Sequence, residues 1–78
     1  MAIIVEKGEA VEDLNSLLHR YRDFIIGRLG IPYREKNINI VSVALDAPSD
    51  TISSLAGKLG NIDGLSVKTA YSGVKGNE

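Results

Sequence analysis

The spacing of apolar positions changes repeatedly along the chain between a helical period and a strand-like period. Apolar side chains recur every three or four residues in two segments, which predicts a first helix over residues 9–22 and a second ending at residue 59. Runs that are β-branched or alternate apolar and polar residues predict four strands, over residues 2–6, 24–29, 38–45 and 65–71. The predicted order is strand, helix, strand, strand, helix, strand.

This order of elements predicts an α+β fold on the ferredoxin-like βαββαβ plan. This fold is a two-layer sandwich, in which two helices cover one face of a four-stranded antiparallel sheet. The right-handed crossover rule gives the strand order 4-1-3-2, which places the two most apolar strands at the centre. We expect residues 1–72 to form one domain. Residues 73–78 are expected to be a flexible C-terminal tail, because they are rich in glycine and charge.

The second predicted strand contains two residues that interrupt regular pairing. Gly27 lies inside it and predicts a β-bulge or the close approach of another backbone. Pro32 has no backbone N–H, so pairing is expected to end over residues 30–32. Residues 33–37 are then expected to form the polar turn that leads into the third strand.

The second and third strands carry apolar residues on both faces, although two helices can cover only one face of the sheet. Plain alternation places Phe24 and Ile26 opposite Ile25 and Leu29. One apolar set therefore lacks a partner in the chain, which predicts burial in a homodimer or homotetramer. The alternative is that these apolar residues remain on the surface of a monomer. The residues predicted to form the subunit interface are Ile26, Gly27, Arg28, Gly30, Ile38 and Ile40.

Composition and charge exclude several classes of function. The net charge is −1, so the strong basic field of non-specific nucleic-acid binders is missing and direct nucleic-acid binding is not expected. The chain has no cysteine, and its single histidine, His19, is interpreted as a surface residue that compensates the helix dipole. No run approaches the roughly 20 apolar residues of a membrane span. We expect a cytoplasmic protein with no catalytic residue, metal or cofactor.

One basic region, over residues 19–36, has five cationic side chains against two acidic ones. Paired arginines can hold a carboxylate or a phosphate. Lys7 and Gly8, just before the first helix, resemble the anion-binding start of a helix. The alternative is a solvated surface with local ion pairs. The loop lacks the arginine and further glycines on which acylphosphatase, an enzyme of the same fold, depends. The predicted ligand-binding residues are Lys7, Gly8, Arg28 and Arg34.

Four segments carry a resemblance to a known family. They are residues 14–19 (LNSLLH), 26–35 (IGRLGIPYRE), 50–60 (DTISSLAGKLG) and 64–69 (GLSVKT). Together they resemble the proteins named iron-only hydrogenase system regulators, which are ACT-like and similar in fold to the C-terminal domain of the nickel-responsive regulator. The resemblance implies an oligomeric, non-catalytic regulatory module that senses a small ligand or regulates transcription. It extends over nearly the whole chain.

The chain also departs from the nickel-responsive regulator. That protein binds its metal through several histidines and a cysteine, and a DNA-binding domain precedes its sensor domain. Here there is one histidine, no cysteine, and a strand at the first residues, so neither nickel sensing nor direct DNA binding is implied. ACT-like modules bind a small effector between subunits, beside the loop that corresponds to residues 6–9. The alternative function is a protein assembly or adaptor module with no small-molecule ligand.

Overall fold

A computed structural model describes residues 1–72, and the predicted tail over residues 73–78 lies outside the described residues. The described part contains two α-helices and four strands, with short 3-10 turns over Gly8–Ala10, Arg22–Phe24 and Arg34–Lys36. The helices and strands are β1 (Ala2–Val5), α1 (Val11–Arg20), β2 (Ile25–Tyr33), β3 (Ile38–Leu45), α2 (Ser49–Gly60) and β4 (Leu65–Lys68).

The four strands form one antiparallel sheet with the order β2-β3-β1-β4. This is the predicted order 4-1-3-2 counted from the opposite edge, so the predicted ferredoxin-like plan is confirmed. Strand β1 is paired with both β3 and β4, whereas β2 is paired only with β3. Strand β2 is therefore an edge strand along all nine of its residues.

Both helices pack on the same face of the sheet and form one core with it. Their predicted apolar stripes are confirmed, because the buried helix residues contact the alternate sheet residues that face them. Directly opposite residues of antiparallel strands share a face, and the pairing of Ile3 with Val41 and Val67 identifies the helix-covered side. The fully buried core comprises Ile3, Val5, Ala10, Leu14, Leu18, Val41, Val43, Leu55, Leu59 and Leu65.

The register between β2 and β3 shifts between Ile25 and Gly27, which is the bulge predicted at Gly27. A bulge inserts one residue into the alternation and so exchanges the faces beyond it. Ile25 pairs with Leu45 and contacts the core, whereas Leu29 pairs with Ser42 on the uncovered face. The prediction that Ile25 and Leu29 share a face was therefore wrong.

Strand β2 continues past Pro32 to Tyr33, and so the prediction that pairing ends over residues 30–32 was also wrong. Met1 and Val43 exchange backbone hydrogen bonds of 2.9 Å in both directions, so Val43 directs its backbone groups toward β1. Because hydrogen bonding alternates along antiparallel strands, Pro32, opposite Asn39, directs its backbone away from β3. The missing N–H of Pro32 thus removes no bond within the sheet.

Strand β4 ends at Lys68, three residues before the predicted end at Tyr71. Lys68 pairs with Ala2, which is the first residue of β1, so no β1 residue beyond Ala2 is left to pair with residue 69. The first helix is also shorter than predicted, since a 3-10 turn precedes Val11 and another follows Arg20.

Candidate functional site

The largest exposed apolar side chains lie mainly on β2. The exposed fractions are 71% for Ile26, 59% for Leu29, 47% for Ile31 and 37% for Tyr33. Leu29, Ile31 and Tyr33 pair with Ser42, Ile40 and Ile38, so they lie on the face of the sheet that the helices leave uncovered. Contiguous exposed apolar residues of this kind are typical of interaction surfaces.

The apolar residues of the uncovered face form one strip across three strands. Ile4 of β1 pairs with Ile40, which pairs with Ile31 in turn, so the strip is continuous from β1 to the β2 edge. On the β4 side the same face turns polar, because Ala2 and Ile4 pair with Lys68 and Ser66. We call this surface the apolar strip, and it consists of Ile4, Leu29, Ile31, Tyr33, Ile38 and Ile40.

The predicted ligand residues Lys7 and Gly8 lie between β1 and α1. The Lys7 ammonium forms an exposed ion pair with Asp63, with Nζ 2.6 Å from Oδ2. The hydrogen bond to Asp63 raises the pKa of Lys7, and the same bond lowers the pKa of the Asp63 carboxyl. Gly8 begins a 3-10 turn of three residues. An anion at this loop would have to compete with Asp63 for Lys7.

Arg28 lies at the β2 edge on the helix-covered side, since it pairs with the buried Val43. Its guanidinium donates a hydrogen bond of 2.6 Å to Oδ1 of Asn15, on α1. Arg22 lies nearby and donates to the carbonyl of His19 at 3.0 Å. Together these residues border a notch of about 310 Å³ between α1 and β2. We call it the α1–β2 notch; its lining residues are Asn15, Leu18, His19, Arg22, Ile25 and Arg28.

Arg34 begins the turn between β2 and β3, six residues after Arg28. An extended strand advances about 3.4 Å per residue, so the two backbones are roughly 20 Å apart. The Arg34 carbonyl accepts a hydrogen bond of 3.1 Å from Asn37, but its guanidinium makes no hydrogen bond or ion pair with any other residue in the range 1–72. The four predicted ligand residues thus do not converge on one site. Arg28 lies in the α1–β2 notch, whereas Gly8 borders a separate, open depression along α1 with Glu12, Asn15, Ser16 and His19.

The predicted interface residues all lie on β2 or its neighbour β3, but not on one face. Gly27, Ile38 and Ile40 lie on the uncovered face, and Ile26 is the extra residue at the bulge. Arg28 and Gly30 lie on the helix-covered side of the same edge. Their participation in an interface stays a prediction.

Sequence reasoning missed the three exposed residues at the β2 edge of the apolar strip and the notch residue Asn15. Leu29 was placed on the wrong face because the bulge changes the alternation. Ile31 and Tyr33 were assigned to a loop because Pro32 suggested a strand end. The predicted strand order already placed the second strand at an edge of the sheet. Because an edge strand tolerates proline, that position could have indicated that the strand continues through Pro32 to Tyr33.

A larger cleft of about 760 Å³ lies at the end of the sheet where β3 leads into α2. The one carboxylate that lines this cleft belongs to Asp46. The terminal amine of Met1, at the border of the cleft, donates a hydrogen bond to the Val43 carbonyl. The cleft contains none of the predicted ligand residues. Its lining consists of Met1, Ile26, Ser49, Ile52 and residues 43–47 and 69–72.

The ends of the two helices are joined by polar contacts of Tyr21. Its hydroxyl lies 3.4 Å from the Ser54 hydroxyl and accepts a hydrogen bond of 3.1 Å from Lys58. The bond with Ser54, followed by that with Lys58, lowers the pKa of Tyr21. These contacts connect α1 to α2 on the exposed surface, so we assign them a structural role.

Residues 1–72 contain neither a candidate metal cluster nor a helix suited to crossing a membrane. No group of three or more His, Cys, Asp or Glu side chains lies close enough together there to hold a metal ion. Neither α-helix in this range has the length and apolar character needed to cross a bilayer.

The sheet order and the two helices on one face define a small ferredoxin-like α+β domain, here with an apolar edge strand and a notch lined by two arginines. Comparison with known families then makes the assignment. The chain belongs to the TM1266-like family, described as "Iron-only hydrogenase system regulator, putative", whose profile matches residues 1–69. The family resemblance seen in the sequence is thereby confirmed.

A solved structure supports the same assignment. The uncharacterized protein TM1266 from Thermotoga maritima is similar to this chain at 41% sequence identity and a TM-score of 0.81. The similarity covers 86% of this chain and 85% of that protein. No curated protein matches the sequence.

Proposed function

We propose that this protein is a non-catalytic regulatory module of the iron-only hydrogenase system that acts as a homo-oligomer. The family description supports the regulatory part. The observation that carries the oligomer is the apolar strip, in which Leu29, Ile31 and Tyr33 remain exposed beside partly buried isoleucines. Contact with another copy would remove this surface from water, which is favourable at about 25 cal/mol per Å² of apolar area.

The module senses a small anionic effector in the α1–β2 notch, in the manner of ACT-like proteins. Arg28 and Arg22 supply guanidinium groups there, and Asn15 holds Arg28 in place through its 2.6 Å bond. A guanidinium that is already positioned loses less side-chain freedom when it binds a carboxylate or phosphate in two-point fashion. We expect any effect on transcription to pass through a partner protein, because the chain lacks a basic field.

A second function also fits the apolar strip. An adaptor that binds another protein through the uncovered sheet face would need the same exposed apolar residues and no small molecule. The two proposals differ at the notch, because only the sensor requires Arg28 to bind an anion.

The test combines a mass measurement with a thermal-shift screen. Size-exclusion chromatography with light scattering should give a dimer or tetramer at micromolar concentration, and a monomer there would refute the oligomer. A screen of amino acids and phosphorylated metabolites should find one whose stabilisation rises with concentration, to about 2.7 kcal/mol at a hundredfold excess over Kd. The shift should be lost in Arg28→Ala and kept in the matched control Arg34→Ala. An oligomer that no compound stabilises favours the adaptor.

A further inference from the structure

We infer that the effector held in the α1–β2 notch is a small phosphate monoester that carries no ammonium group. The inference rests on the proposed sensor and names the chemical class of its ligand. The lining of the notch contains two arginines and no acidic residue. Free amino acids are therefore not the effectors of this notch, because their ammonium group would find no carboxylate there.

The two guanidinium groups of the notch, those of Arg22 and Arg28, are not neutralised by any carboxylate among residues 1–72. The single ion pair in that range involves neither of them. Both donate to neutral oxygens instead. Because two like charges in one notch repel each other, an anion with two charges is matched to the pair. A phosphate monoester carries a charge of about −1.5 to −2 at pH 7, which is closer to that match than the single charge of a carboxylate.

The two arginines also reach the notch from different elements. Arg28 belongs to β2, whereas Arg22 begins the 3-10 turn that follows α1. A carboxylate has its two oxygens in one plane and suits the fork of a single guanidinium. A phosphate group has three acceptor oxygens that point in different directions, so it can accept hydrogen bonds from two sides at once. The placement of the arginines thus favours the tetrahedral anion.

The polar groups of the notch are mainly hydrogen-bond donors. The side-chain oxygen of Asn15 already accepts a 2.6 Å bond from Arg28. The His19 carbonyl already accepts a 3.0 Å bond from Arg22. The amide nitrogen of Asn15 can only donate, and the remaining side-chain acceptor is one ring nitrogen of a neutral His19. An ammonium group would therefore lie beside two positive charges with little to bind, which disfavours amino acids.

The volume of the notch limits the ester to a small one. The notch measures about 310 Å³, which is roughly ten times the volume per molecule of liquid water, so it holds about ten non-hydrogen atoms. A phosphate group with a chain of about three carbons fills that space, whereas a nucleotide would extend well outside it. Leu18 and Ile25 supply the apolar part of the lining, against which the carbon chain can lie.

The dipole of α1 opposes an anion here, because the notch lies beside the C-terminal half of that helix. The opposing charge is a partial one, carried by the carbonyl groups of the last turn. Arg22 binds one of those carbonyls, that of His19, and brings a full positive charge to the same place. The unfavourable end of the helix is thus compensated by the chain itself.

The test is an NMR titration of the isotopically labelled full chain with glycerol 3-phosphate at fixed ionic strength. Saturable shifts should be confined to amides that border the notch, within residues 15–28. O-phosphoethanolamine presents the same phosphate with an added ammonium group and should bind roughly tenfold more weakly. Dimethyl phosphate, a diester with a single charge, should also bind more weakly, and tighter binding of this compound would indicate a nucleic-acid or lipid backbone instead and overturn the monoester.

Variants of exposed side chains test the site itself. Arg22→Ala and Arg28→Ala should each weaken the binding of glycerol 3-phosphate roughly tenfold, because each removes charge-assisted hydrogen bonds. Asn15→Asp should weaken it as well, since a carboxylate beside Arg28 would compete with the ligand. The matched control Arg20→Ala removes the same charge from α1 outside the notch lining and should leave binding unchanged.

The outcomes separate the ligand class from the sensor. Preferred binding of glycerol 3-phosphate, or of another monoester without an amine, supports the inference when Arg22 and Arg28 are both needed. An amino acid or a simple carboxylate that binds more tightly, and depends on Arg28, overturns the phosphate ester and leaves the sensor standing. Phosphate binding that neither arginine variant weakens overturns the notch as the site. Failure of every compound to bind overturns the sensor itself.

Discussion

Leucine-to-alanine changes at two positions should separate core burial from interface burial. Leu59 is 0% exposed and lies in the core, so Leu59→Ala should lower the free energy of unfolding by about 2–5 kcal/mol. Leu29 is 59% exposed in the single chain. Complete burial of a leucine side chain stabilises a fold by about 1.5–3 kcal/mol. About two-fifths of the Leu29 surface is buried in the single chain, so Leu29→Ala should lower the free energy of unfolding by at most roughly 0.6–1.2 kcal/mol there.

Association changes this comparison for Leu29 alone. Burying its exposed part would add roughly 0.9–1.8 kcal/mol for each chain, and a dimer contains two such residues. Leu29→Ala should therefore weaken association by up to about 2–4 kcal/mol, which corresponds to roughly 1.5 to 3 orders of magnitude in Kd.

The assay is urea unfolding followed by circular dichroism over about a hundredfold range of protein concentration, because an associating protein becomes more stable as its concentration rises. The unaltered protein and Leu59→Ala should both show that rise, and Leu29→Ala should show a weaker one. Two results would refute the reasoning. The first is a loss at Leu29 as large as that at Leu59 at the lowest concentration. The second is a concentration dependence that Leu29→Ala leaves unchanged.

Three further predictions concern the single chain. The Lys7–Asp63 pair should stabilise the fold between about pH 4 and 10.5: Asp63 loses the pair as pH falls through a pKa held below 3.8, and Lys7 loses it as pH rises through a pKa held above 10.5. Asp63→Asn should lower the unfolding midpoint at pH 7, and the difference from the unaltered protein should shrink progressively as pH falls below 3.8. Ser54→Ala and Lys58→Met should each move the pKa of Tyr21 back toward 10.0 in an NMR titration of labelled tyrosine; equal values in all three proteins would contradict the assignment. Gly64 has a φ of +94°, and a Cβ there would lie 2.7 Å from Cβ of Lys7, so Gly64→Ala should cost about 1–3 kcal/mol. The control Gly57→Ala, in α2 with open space around it, should stabilise by about 0.5–1 kcal/mol in the same denaturation series.

The fold was predictable because its apolar periods are strong and its topology follows from few rules. The stripes of α1 and α2 and the bounds of β3 agree with the structure. The faces of β2 were not predictable in the same way, because one extra residue reverses them and the sequence does not say which position it occupies. Gly27 indicated a bulge, but not that Leu29 would therefore lie on the uncovered face.

The candidate site was less predictable than the fold because it depends on contacts between distant parts of the chain. Arg28 was singled out from local charge, yet its significance comes from Asn15, thirteen residues earlier, on α1. Lys7 was singled out in the same way, and its partner Asp63 lies fifty-six residues away. Charge along the sequence identifies candidates, and only the tertiary contacts show which of them are already paired.

Pro32 connects the fold to the proposed assembly. A nine-residue apolar edge strand is a hazard, since it can pair with other chains in several registers. A proline whose missing N–H faces outward leaves β2 intact but removes one donor from the exposed edge. That loss makes the β2 edge a poorer template for a further strand without removing any bond to β3. On this argument Pro32 limits open-ended pairing along β2. Pro32→Thr, which restores the donor, should therefore increase self-association, measured as a higher mass in size-exclusion chromatography with light scattering, and an unchanged mass would contradict this role of Pro32.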